Sequence, residues 1–272
     1  RIAGARVGSS LAVEYLEGLA SRSSGTGAAR YQRRIAEVHE RAGDTESTKA
    51  ALMRALDHDP EDLEALSGLR RMHTEAEDWR SLVGVLARET TVVAGDEQVQ
   101  RYREIASVWE DRIGEPAVAM DAWRKVLDLS SDDATALEHL VGLSRSSEDW
   151  SAFTEYGQAW LRHAPEESRV EFQSELGQAF FNHLRREDEA LRFLDAASGG
   201  DAPDAEAARL YERIYEARGN WSMAVEGVLR QARAAEGDEA VGHYLRAAQR
   251  RLETLHDRDG AAEIYRQVLD VD

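Results

Sequence analysis

Apolar residues recur along this chain at helical spacing, in short runs separated by polar breaks. In residues 98–133 the first apolar set is Val99, Tyr102, Ile105, Ala106 and Trp109, one face of an α-helix. A break follows at Ile113-Gly114-Glu115-Pro116, with Pro116 in the first turn of the next helix, where its missing N–H costs nothing. The second set, Ala119, Met120, Trp123, Val126 and Leu127, again forms one face. The segment closes on Ser130-Ser131-Asp132-Asp133, residues suited to cap a following helix. The same syntax predicts fifteen helices, near 5–20, 29–42, 45–58, 62–75, 78–93, 97–112, 116–129, 133–146, 149–163, 167–184, 187–198, 203–217, 220–235, 238–255 and 258–270. No segment alternates strictly enough for a strand.

The helices repeat. Trp79, Trp150 and Trp221 stand 71 residues apart, each preceded by a capping Asp78, Asp149 or Asn220. Leu69, Leu140 and Tyr211 keep the step, as do Asp62, Asp133 and Asp204. An interleaved column runs Thr48, Ala119, Ala190, Ala261, with Leu52, Trp123, Leu194 and Tyr265 four residues later. Each 71-residue unit holds two unlike helix pairs. A lone pair cannot bury both faces, so a one-dimensional stack is expected. The three tryptophans open the second helix of every other pair, where a ring can close the junction.

These residues resemble the tetratricopeptide repeat family over roughly residues 29–272. Gly43-Asp44, Gly219-Asn220-Trp221, Ala119 with Trp123, Ala261 with Tyr265, and Asp59-Pro60 fit its pattern. Departures occur where the family has a small residue in its first helix and this chain has Arg70, Val141 and Glu212. The resemblance implies an all-α fold, a right-handed α-solenoid of about seven antiparallel helix pairs. Repeats are expected near 29–61, 62–97, 98–132, 133–168, 169–203, 204–238 and 239–272, after a lone helix at 5–20. One solenoid over residues 1–272, itself a segment of a longer array, is the domain expectation.

Composition narrows the function. The formal charge of −18 disfavours nucleic acid and anionic membrane surfaces. It reads as solvated acidic helix faces, the alternative being an acidic site for a basic partner. No stretch approaches 18 apolar residues, so direct membrane insertion is not expected. The absence of cysteine removes disulfides and thiolate metal sites and leaves cytoplasm, slightly favoured, and periplasm open. Thirty-two of the 34 basic residues are Arg, a bias that with the abundant Ala suggests a GC-rich bacterial genome.

Chemistry is sparse. The eight histidines form no metal-binding pair at helical spacing. Asp257-x-Asp259-Gly260 imitates the start of a calcium loop but falls at a repeat turn, where helix capping explains it. Asn220-Trp221-Ser222 matches a glycosylation pattern on a capping residue. No phosphate loop or nucleophile elbow is present. Neither an enzyme activity nor a cofactor nor a metal is expected.

The expected role is a non-catalytic scaffold that binds a protein or peptide. In the resembled family the first (A) helices line the concave face that holds partners. Carried over by position, that face includes Arg30, Arg33, Arg34, Glu37 and Arg41, then Arg103, Ser107, Glu110 and Asp111. The basic cluster at 30–41 could bind a peptide carboxylate, or pair with Glu37 and Glu40 along its own helix. Alternatives are an architectural subunit of a larger assembly, with self-association possible, and a regulatory arm of a longer chain.

Overall fold

The computed structural model describes residues 2–271, with side chains described for residues 10–269. All regular structure among the described residues is helical. The helices are α1 (Ile2–Ala20), α2 (Thr26–Arg41), α3 (Thr45–His58), α4 (Leu63–Glu75), α5 (Trp79–Val92), α6 (Asp96–Ser107), α7 (Pro116–Leu129) and α8 (Ala134–Ser146). They continue as α9 (Trp150–Trp160), α10 (Glu166–Gln178), α11 (Glu187–Ser198), α12 (Ala205–Ala217), α13 (Trp221–Ala234), α14 (Gly237–Glu253) and α15 (Arg258–Val271).

The expected helices are all present, with informative differences at three ends. Residues 108–113 and 179–183, expected as the last α-turns of α6 and α10, are π-helical. In the first unit the π turn coincides with one added residue: Gly25 to Gly43, the positive-φ glycines bracketing α2, is a step of 18, whereas Gly95 to Gly114 around α6 is a step of 19. The expected 149–163 helix ends as α-helix at Trp160 and tightens into turns over 161–163 ahead of Pro165, which disfavours helical backbone at Ala164.

Capping follows the repeat. Asp44, Asp62, Asp78, Asp149, Asp204 and Asn220 each accept a backbone N–H of the first turn they precede. Asp257 likewise accepts from Gly260 N at 2.9 Å, so the calcium-like string is a cap. The turns share a left-handed residue in two 71-residue columns. One is Gly43, Gly114, Arg185, His256, and the other is Glu77, Glu148, Gly219. Four of the seven are not glycine, a conformation that costs an L-residue about 1 kcal/mol.

By packing density the chain divides into two compact units, residues 1–136 and 137–272. Within the first, Ile35, Leu52, Leu56, Leu66 and Leu69 form a continuous core between α2, α3 and α4. Trp123, 1% exposed, is held by its indole N–H, which donates to Glu110 Oε2 at 2.8 Å. Within the second unit Phe153, Phe172, Leu176, Phe180, Leu194 and Tyr211 form an aromatic-rich core, and Val225, Val228 and Ile264 form a separate one.

The three large residues in the small-residue column have distinct uses. Arg70 on α4 reaches the buried Glu89 of α5 at 3.7 Å and Glu104 of α6 at 3.4 Å. Arg101 also pairs with Glu89. In the second unit the signs are exchanged at the same register. Glu212 on α12 accepts from Gln231 of α13 at 2.6 Å and from Arg246 of α14 at 3.0 Å. Arg250 completes its shell at 2.6 Å. Gly227 makes room for this packing, since a Cβ there would stand 2.8 Å from the Glu212 Cα. Val141, the middle member, lies in the apolar core.

Candidate functional site

The A helix α2, and α6 with the π turn that follows it, carry the residues expected to face a partner. Much of the expected set has structural work. Arg33 reaches Asp62 Oδ2 at 2.8 Å and also pairs with Glu64. Its partners are on the next A helix, not along α2, because Asp62 is buried against it and offers a fixed carboxylate. Glu40 likewise pairs with Arg71 of α4, and Glu37 and Arg41, at 3.6 Å, pair within α2. Arg30 and Arg34 are exposed.

Arg103 repeats what Arg33 does. Its guanidinium pairs with Asp133 Oδ2, while Asp133 Oδ1 accepts from Ala136 N at 2.9 Å. One carboxylate thus caps a helix and clasps the preceding A helix. In the second unit Ser174 stands where Arg103 stands, and its hydroxyl donates to Asp204 Oδ1 at 2.8 Å. Glu110 is committed to Trp123, Ser107 is half-buried before the π turn, and Asp111 is exposed. The structure therefore brings Arg33 and Arg103 into equivalent clasps and does not gather the nine residues into one site.

Where the first unit has Arg103 the second has the short Ser174, and a cleft of about 570 Å³ lies across α8, α10 and α12. Trp160 and Phe172 line it, packed edge to face with centroids 4.7 Å apart. Arg145 contributes from α8 and is tied to Glu175 at 2.6 Å. Glu171 and Glu206 line the same cleft, are exposed, and form no ion pair among the described residues. A cleft of about 490 Å³ in the first unit is lined by Val99, Gln100, Arg103 and Leu129. At the register of Trp160, however, that unit has the buried Glu89.

Glu171, Ser174 and Gln178 were legible as the 71-residue images of Gln100, Arg103 and Ser107. What the sequence did not show is that Arg103 is spent on Asp133.

The tryptophan column is likewise unequal. Arg112 covers Trp79 at 5.2 Å from its ring centre, and His183 stacks on Trp150 at 4.0 Å. At the covering position for Trp221 the chain has Thr254, and Trp221 is 43% exposed. Among the described residues no cluster of three or more His, Asp or Glu could hold a metal ion, and no helix is long and apolar enough to cross a membrane.

Antiparallel helix pairs stacked through a repeating cap define an all-α repeat protein of tetratricopeptide-like build. No protein-family model and no curated protein matches the chain. Solved structures do resemble it, among them tetratricopeptide repeat proteins. A tetratricopeptide repeat protein from Parabacteroides merdae is 13% identical, with 89% of this chain and 93% of that one covered and a TM-score of 0.38. The protein YrrB, described as a TPR protein with an unusual peptide-binding site, is 13% identical over 67% of this chain and 91% of its own, at 0.38. MamA is 17% identical over 67% and 97%, at 0.36.

Proposed function

We propose that this chain is a non-catalytic scaffold that binds a protein or peptide on its A-helix face. The observation that carries the reading is the cleft across α8, α10 and α12, bounded by three successive A helices and floored by Trp160 and Phe172. A space of this size takes a few residues of extended chain, with aromatic surface for affinity and rim polar groups for register. The test is site-specific photocrosslinking in the source cell. A crosslinker at Gln178, in the cleft, should trap discrete partners that one at Arg192, on the exposed surface of the B helix α11, does not. Equal labelling from both positions would overturn the reading.

A second reading, an architectural subunit, is favoured by exposed apolar side chains on α1 and α15. Leu11 and Tyr15 on α1 are 62% and 70% exposed, and Leu269 on α15 is 78% exposed. Light scattering decides it. Concentration-dependent assembly that Leu269→Glu abolishes would establish self-association, and a monomer at all concentrations would rule it out.

A further inference from the structure

The chemistry of the second-unit cleft specifies what kind of segment it would take. We infer that it binds an extended peptide segment carrying an arginine or lysine side chain, an inference that rests on the scaffold reading above. Of the ionisable groups lining the cleft, Arg145 is the single cation against Glu171, Glu175, Asp204 and Glu206. Arg145 is neutralised by Glu175, and Asp204 accepts two neutral donors on Oδ1, the Ser174 hydroxyl and the Ala207 N–H it caps at 2.6 Å. Glu171 and Glu206 remain with unspent charge. They rise from two neighbouring A helices beside the partly exposed indole of Trp160.

A cation placed there meets carboxylates from two sides and an aromatic surface. Carboxylates hold a guanidinium through paired hydrogen bonds, and an indole face attracts the same cation. An acidic peptide would have to approach Glu171 and Glu206 with only the already neutralised Arg145 for compensation. A purely apolar one would leave both carboxylates partly desolvated without a partner.

The register comparison supplies a way to perturb the cleft. In the first unit Arg103 pairs with Asp133 where the second has Ser174 and Asp204. Ser174→Arg is therefore expected to pair with Asp204 as Arg103 pairs with Asp133, keep the fold, and put a fixed cation in the cleft where the ligand's own would sit.

The experiment is fluorescence anisotropy on the whole chain with three fluorescein-labelled hexapeptides, alternating alanine with arginine, with leucine or with glutamate. The arginine peptide should bind at least tenfold tighter than either other, with affinity falling as salt rises. The E171K/E206K pair should weaken it tenfold or more, and Ser174→Arg should do the same with an unchanged circular dichroism spectrum. As a control for the general acidic field, the exposed D57K/E61K pair at the end of α3 should change affinity less than twofold. An equal loss in that control would overturn the inference, because attraction to net charge would then explain the binding. Leucine or glutamate peptides binding more tightly, and being displaced by Ser174→Arg, would overturn the cationic ligand while leaving the scaffold standing. Arginine-peptide binding that Ser174→Arg leaves unchanged would remove the cleft itself.

Discussion

Removing the carboxylate of Asp133 tests the clasp from which the site argument grows. Asp133 does two things at once, capping α8 through Ala136 N and holding Arg103 of α6. The cap is worth about 1 kcal/mol. The ion pair joins an aspartate side chain 2% exposed to an arginine side chain 37% exposed. A fully buried charge-assisted bond would contribute about 1.5–3 kcal/mol, and solvent around the guanidinium reduces that to about 1–1.5 kcal/mol. Asp133→Ala should therefore cost about 2–3 kcal/mol. Asp204→Ala should cost less, about 1.5–2 kcal/mol, because a neutral hydroxyl replaces the guanidinium at its side. Urea unfolding followed by circular dichroism measures both, with the slope checked because repeat stacks can unfold in parts. The sharper quantity is the coupling in the cycle Arg103→Ala, Asp133→Ala and the double variant, expected at about 1–1.5 kcal/mol. A coupling below about 0.3 kcal/mol, or an Asp204→Ala loss equal to that of Asp133→Ala, would refute the clasp.

Further outcomes follow from other columns. Glu148 holds a left-handed backbone that its column gives to Gly219, so Glu148→Gly should raise stability by about 1 kcal/mol in the same urea assay. Gly227→Ala should cost about 1–3 kcal/mol, since the new Cβ meets the Glu212 backbone, and a neutral result would show that α12 and α13 can part freely. The side-chain hydroxyl and backbone N–H of Ser81, with His73 nearby, hold the Asp78 carboxyl below the usual aspartate range. A depressed folded-state value means the stabilisation is full above about pH 4 and is lost as pH falls further. Asp78→Asn keeps an acceptor at the cap but does not titrate, so its thermal midpoint should fall less steeply between about pH 4 and pH 2 than that of the parent. Trp150 is half-buried beneath His183, and Trp150→Ala should cost about 2–4 kcal/mol, against under about 1 for the exposed Trp221→Ala.

Helix positions were legible because apolar spacing and capping residues agree with one another. Asp44 before α3 and Asn220 before α13 mark starts that the hydrogen bonds confirm. The π turns were not legible, since the spacing of Ile105, Ala106 and Trp109 reads equally well as α-helix. Nor were the left-handed turns at Arg185 and His256, where nothing in the side chain announces the backbone. For the site, the A-helix columns could be read, but the use of each member could not. Arg33 and Arg103 look available in sequence, and only the fold shows Asp62 and Asp133 waiting for them.

The exchanged charges at Arg70 and Glu212 bear on how the chain avoids confusing its own repeats. Near-identical neighbours invite mispairing and swapping between copies, the characteristic failure of tandem arrays. Were α4 to dock on α14 in place of α6, Arg70 would confront Arg246 where Glu104 belongs. The converse error would set Glu212 against Glu104. Apolar packing alone would tolerate either mistake, because Leu69 and Tyr211 occupy the same column. Opposite polarity in the two networks would therefore penalise either mistake electrostatically where the apolar column would not.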